Sequence, residues 1–136
     1  MKKHPIDDRI LGAKLKDRYP DIAKSLVSEP ILFDLDLLPR IKEIIESDIR
    51  VSEKGEFERK ELIVAVILKL YDPYHLEGYK KMKRGLPKAI SELFPHSSKS
   101  LISHLSRKVN NLISIYRTFE QDVNYFVGLI SDKVNE

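Results

Sequence analysis

The chain has 136 residues, 42% of them hydrophobic and 33% charged, with a formal net charge of +3 and no cysteine. That is the size of one soluble domain able to hold itself together by a hydrophobic core, and the lack of cysteine excludes disulfides, thiolate zinc sites, iron–sulfur clusters and a cysteine nucleophile. The longest apolar run, Leu62 to Leu68, has seven residues against the ~20 of a membrane span, and the start MKKHPIDDRI lacks the apolar stretch of a signal peptide, so a cytoplasmic protein without a membrane partner is expected.

Apolar residues recur mainly at spacings of three and four, and seven prolines punctuate the pattern, which predicts an all-α chain: a compact bundle of about six or seven helices in one domain. The first helix is expected over 6–19, with Ile10, Leu11 and Leu15 on its apolar side and Pro20 ending it. A short helix over 21–27 follows and Pro30 closes it. Asp34 and Asp36 sit where N-caps belong, before a helix over 37–48 whose stripe is Leu38, Ile41, Ile44 and Ile45. A polar segment over 52–56 leads into a helix over 57–71, apolar nearly all round and therefore the expected core; its richness in Ile and Val makes a buried strand the competing reading, with no second such run to pair with it. The stretch YHLEGYKKMKRG is weakly patterned and predicts a long loop. Pro87 suits the first turn of a helix over 87–94 that Pro95 stops, and a further helix starts after Ser97 or Ser98 and runs to about 116. Thr118 and Gln121 have capping-box spacing, which predicts a last helix to about 134 that buries Phe119, Val123, Phe126, Val127 and Ile130.

Charge is unevenly placed. Between residues 79 and 118 stand Lys80, Lys81, Lys83, Arg84, Lys88, Lys99, Arg107, Lys108 and Arg117, with Glu92 the one acidic residue, so this basic window carries +8 and the rest of the chain −5. The acidic helices of 1–78 thus precede a basic region over 79–118 and a terminal helix over 119–136. Such self-repulsion is relieved by a polyanion, and nucleic acid is the first candidate.

The segment ISELFPHSSKSLISHLSRKV, residues 90–109, joins charge to pattern and resembles a helix-turn-helix, the likeness covering 86–109. Ser91 holds the place of the small residue, Pro95 that of the turn residue, usually glycine, and Leu101 that of the anchor. One extra turn residue would instead make Ile102 and Leu105 the anchors. The resemblance implies a braced second helix entering the major groove of double-stranded DNA, with Ser98, Lys99, Ser100, Ser103, His104 and Arg107 on its exposed N-terminal side and Lys108 beside them. Lys99 or Arg107 would meet guanine, the serines would meet phosphates, and Lys80, Lys81, Lys83, Arg84 and Lys88 would follow the backbone.

The expectation is therefore a sequence-specific DNA-binding protein, a transcriptional regulator or a mobile-element or phage accessory factor, with homodimerisation through the C-terminal helix if that helix pairs with its copy. Two alternatives stay open: a helical protein–protein interaction module working through the Phe126 and Ile130 face, and an RNA or single-strand binder stacking bases on Tyr71, Tyr74, Tyr79 and Tyr116. No acid, base and nucleophile stand together, the four histidines lack metal-ligand spacing, and there is no phosphate-cradling glycine motif. An enzyme, a cofactor, a metal and a small-molecule ligand are therefore not expected.

Overall fold

A computed structural model describes residues 8–20, 29–78 and 81–134. Among them the secondary structure is entirely helical: α1 (Asp8–Arg18), α2 (Leu38–Glu46), α3 (Glu56–Tyr71), α4 (Pro73–Leu76), α5 (Leu86–Ser91), α6 (Lys99–Ile115) and α7 (Arg117–Val134), with 3-10 turns at Leu35–Leu37 and Ile49–Val51. No helix of the described residues is long and apolar enough to cross a membrane. The expected helix over 21–27 lies outside the described residues.

Helix α3 is the axis of the bundle. Its segment Leu62 to Leu68 is at most 1% exposed at every position, and α2, α4, α6 and α7 all pack on it. A helix apolar on every side is stable only when other elements cover every side, and burying each such side chain is worth roughly 1.5–3 kcal/mol. Residues Leu38, Ile41 and Ile45 of α2, Ile102, Leu105 and Val109 of α6, and Val123, Phe126 and Ile130 of α7 complete this core.

Several expectations need correction. The capping box is not used: α7 begins at Arg117, so Thr118 lies inside its first turn, and the Glu120 amide bonds the carbonyl of Tyr116 at 3.1 Å. Helix α1 does not bury its apolar side, for Ile10 and Leu11 are 57% and 53% exposed. Six of its eleven residues are charged, which leaves too little apolar area to dock. The stretch read as a long loop contains the one-turn helix α4, capped by Asp72 and started by Pro73. Helix α5 stops at Ser91, and the next two turns tighten to bonds from Leu93 to Ile90 and from Phe94 to Ser91, because Pro95 disfavours the helical region for Phe94.

The terminal helix spends its apolar stripe inside the chain: Val123, Phe126 and Ile130 are fully buried. Those three side chains, which pairing through this helix would need, instead pack into the core of the same chain. Asp34 caps the 3-10 turn Leu35–Leu37, its carboxylate accepting the Asp36 amide at 2.9 Å, whereas α2 starts from Leu37 without a side-chain cap, so neither aspartate caps that helix as expected.

Candidate nucleic-acid interface

Helix α5 packs against α6, with Leu86 and Ile90 of the first and Ile102 and Leu105 of the second in the common core. Ser98 caps α6, its hydroxyl accepting the Leu101 amide at 3.1 Å. The register that the sequence left open by one residue is settled in favour of Ile102, which is fully buried, while Leu101 is 44% exposed. Within the connection the residue with a left-handed backbone is His96, φ +62°, immediately after Pro95, which the sequence placed at the turn. Histidine tolerates that region better than β-branched residues do. The connection spans 92–98, longer than the three or four residues of the usual helix-turn-helix turn.

Helical spacing places Ser100, His104, Arg107 and Asn111 on one exposed face of α6. Lys99 is exposed on one flank and Ser103 half-buried there, its carbonyl accepting the Ser106 hydroxyl at 2.7 Å. Lys108 lies on the other flank. Its ammonium stands 2.9 Å from the buried carboxylate of Glu61 and 4.5 Å from the Phe57 ring, so it is already engaged on α3. From Leu93 to Phe119 there is no acidic residue.

The basic segment before α5 is tied down from beneath. Asp72 is 5% exposed and its carboxylate accepts the Lys83 amide at 2.6 Å and, more weakly, the His75 amide at 3.4 Å. His75 Nε2 lies 3.0 Å from the hydroxyl of Ser106 on α6. Since that hydroxyl donates to Ser103, it accepts from His75, and Nδ1 remains a buried atom without a hydrogen-bond partner among the described residues. One buried carboxylate and one imidazole thus connect the segment carrying Lys83 to α6. Gly85 turns the chain into α5 at φ +87°, a conformation that favours glycine. Lys81, Lys83, Arg84 and Lys88 are all exposed, and the Lys83 ammonium rests 4.8 Å over the Phe33 ring. Lys80 and Tyr79 lie outside the described residues. Arg117 is exposed at the start of α7.

Of the tyrosines offered for stacking, Tyr71 is buried and its hydroxyl donates to the Asp34 carbonyl at 2.6 Å, whereas Tyr74 and Tyr116 are 42% and 56% exposed. The described residues contain no group of three His, Asp or Glu side chains placed to hold a metal. Sequence reasoning missed Asp72, His75 and Ser106 as supports. Only the Asp72–Pro73 pair, a cap followed by a proline, carried a signal. Compared with family models, curated proteins and solved structures, the chain matches none.

Proposed function

We propose that the protein binds double-stranded DNA, seating the Ser100, His104, Arg107 and Asn111 face of α6 in the major groove while the segment around Lys81, Arg84 and Lys88 lies along the phosphates. The observation carrying this reading is that the exposed face of α6 combines short polar side chains with Arg107 and that no carboxylate occurs between Leu93 and Phe119. A groove-reading surface needs both properties, close approach and freedom from repulsion by phosphate. The fully buried Ile102 and Val109 on the opposite side of α6 would hold its orientation as it reads. Ser98 and Lys108 contribute less than the sequence suggests, since one caps the helix and the other pairs with Glu61. Regulation of transcription, or service as a mobile-element or phage accessory factor, is the use that suits such a DNA reader.

A salt-titrated mobility-shift assay on random duplex and single strands tests the reading. If five cations meet phosphates, log affinity falls against log salt with a slope of about −4 to −5 on duplex. Arg107→Ala loses ~1–3 kcal/mol and relaxes base preference, whereas Lys81→Ala weakens all sequences alike. A flat salt profile, or tighter binding to single strands than to duplex, would sink the proposal.

A further inference from the structure

A cleft of about 410 Å³ opens between α2, the first turns of α3 and the turn that precedes α6. Phe57 and Phe94 supply its apolar surface over the buried Ile63, and the cations at its wall are Lys42, Lys60 and Arg59, the last with its guanidinium bonded to the neutral carbonyls of Lys54 and Ser52. The ammonium groups of Lys42 and Lys60 converge on one ring, standing 5.7 and 5.0 Å from the centroid of Phe94. Lys42 is paired with Glu46 at 2.7 Å, and Glu56 is the other carboxylate at the wall. Three cations against two carboxylates leave one positive charge uncompensated beside an aromatic surface. A monoanion balances that charge, while a dianion exceeds it.

We infer that the cleft binds a small organic monocarboxylate with a flat apolar body, its carboxylate on Lys60 and Lys42 and its body against Phe57 and Phe94. The sequence pattern contained no sign of this ligand class, because the walls come from three separated segments. Occupancy also reaches α6. Lys60 donates to the Ser97 hydroxyl at 2.6 Å, and Ser97 immediately precedes the cap residue Ser98. A guest carboxylate takes up other donors of the same Lys60 ammonium, draws it toward the cleft, and so alters how it holds Ser97 at the start of α6. This second step rests on the DNA-binding reading; ligand binding itself does not.

The test is a titration of the full-length ¹⁵N-labelled chain with sodium benzoate at constant ionic strength, with benzamide and inorganic phosphate as parallel probes. Benzoate is expected to give saturable amide shifts at Lys60, Phe94 and Ser97 with half-saturation on the order of 1 mM, ordinary for a ligand of this size. Benzamide gives none, and phosphate, lacking the apolar body, binds more weakly. Lys60→Met weakens benzoate about tenfold, the loss expected when a charged hydrogen-bond donor is removed. If circular dichroism shows that variant unfolded, Lys42→Met on the opposite wall replaces it, with the same direction expected. No saturable shift at these amides, equal shifts from benzamide, or unchanged binding in a folded variant overturns the ligand assignment. Duplex affinity is then measured at fixed salt with and without saturating benzoate, where a change of about threefold or more is expected, reciprocal in the two ligands. Duplex binding that ignores benzoate overturns the coupling. Absence of duplex binding under every condition overturns the DNA reading instead and leaves the benzoate titration to decide the cleft.

Discussion

Tyr71 shows how one side chain joins stability to pH. It closes α3, is 1% exposed and donates to the Asp34 carbonyl, so its ionisation is opposed by burial first and by the Asp34 carboxylate second, and its pKa is pushed up from 10.0 to about 12. The unfolded chain therefore releases this proton first. The contribution of Tyr71 is intact below pH ~10 and is lost as pH rises toward about 12. Tyrosinate absorbance should show a late-titrating component that Tyr71→Phe lacks, and the thermal midpoint of the wild type should fall over that interval more steeply than that of Tyr71→Phe. Lys108 and Arg107 are neighbours with opposite expectations. Lys108→Ala strands the buried Glu61 carboxylate; because Lys108 is about half exposed, the loss is ~1–2 kcal/mol rather than the several of a fully buried pair. Its DNA affinity should change less than that of Arg107→Ala. Denaturant unfolding and shift assays on the two variants check both halves.

At the scale of elements, α6 is defined by which side of it is dry. Ile102→Ala should cost about 2–4 kcal/mol by leaving a cavity in a fully packed site, while Leu101→Ala should stay within about 0.5 kcal/mol because that side chain already meets water. Equal effects in urea unfolding would mean that the register is wrong. The helices themselves were largely legible in the sequence. Three- and four-residue spacing located α2, α6 and α7, an unbroken apolar centre marked α3, and proline marked the start of α5 and the end of α1. What could not be read were relations that depend on distant segments meeting. The Lys60 bond to Ser97 spans thirty-seven positions and the His75 bond to Ser106 thirty-one, and no local pattern encodes either. The missed exposure of α1 has a different cause: spacing gave the right face, but charge density determined whether that face could be buried. Of the proposed interface, the polar side of α6 was visible as alternating serines and cations, whereas the engagement of Lys108 and the supports beneath Lys83 were not.

Across the whole molecule, the described helices other than α1 draw on one core whose centre is α3, so a charge placed in that core acts globally. Phe126→Asp puts a carboxylate where exposure is 0% and should cost about 4 kcal/mol or more, unfolding the chain instead of detaching a partner. Asn124→Asp, on the exposed side of the same helix, should leave the circular dichroism and the elution volume unchanged. If Phe126→Asp stays folded and only shifts the oligomeric state, α7 is an interface after all. The division of charge between a basic window and net-acidic flanks is also a property of the whole, and under the DNA-binding proposal it would orient the molecule toward a polyanion before any contact forms.

The grip of Asp72 on the Lys83 amide has one more outcome. The carboxylate that caps α4 also holds backbone eleven positions further on, so the intervening chain is fastened at both ends. A protease cutting after Lys81 would sever the polypeptide, yet the new start stays moored through the Lys83 amide to the aspartate of the other piece, and α6 and α7 stay packed on α3. The nicked protein would migrate as one particle and separate into two fragments only in denaturant.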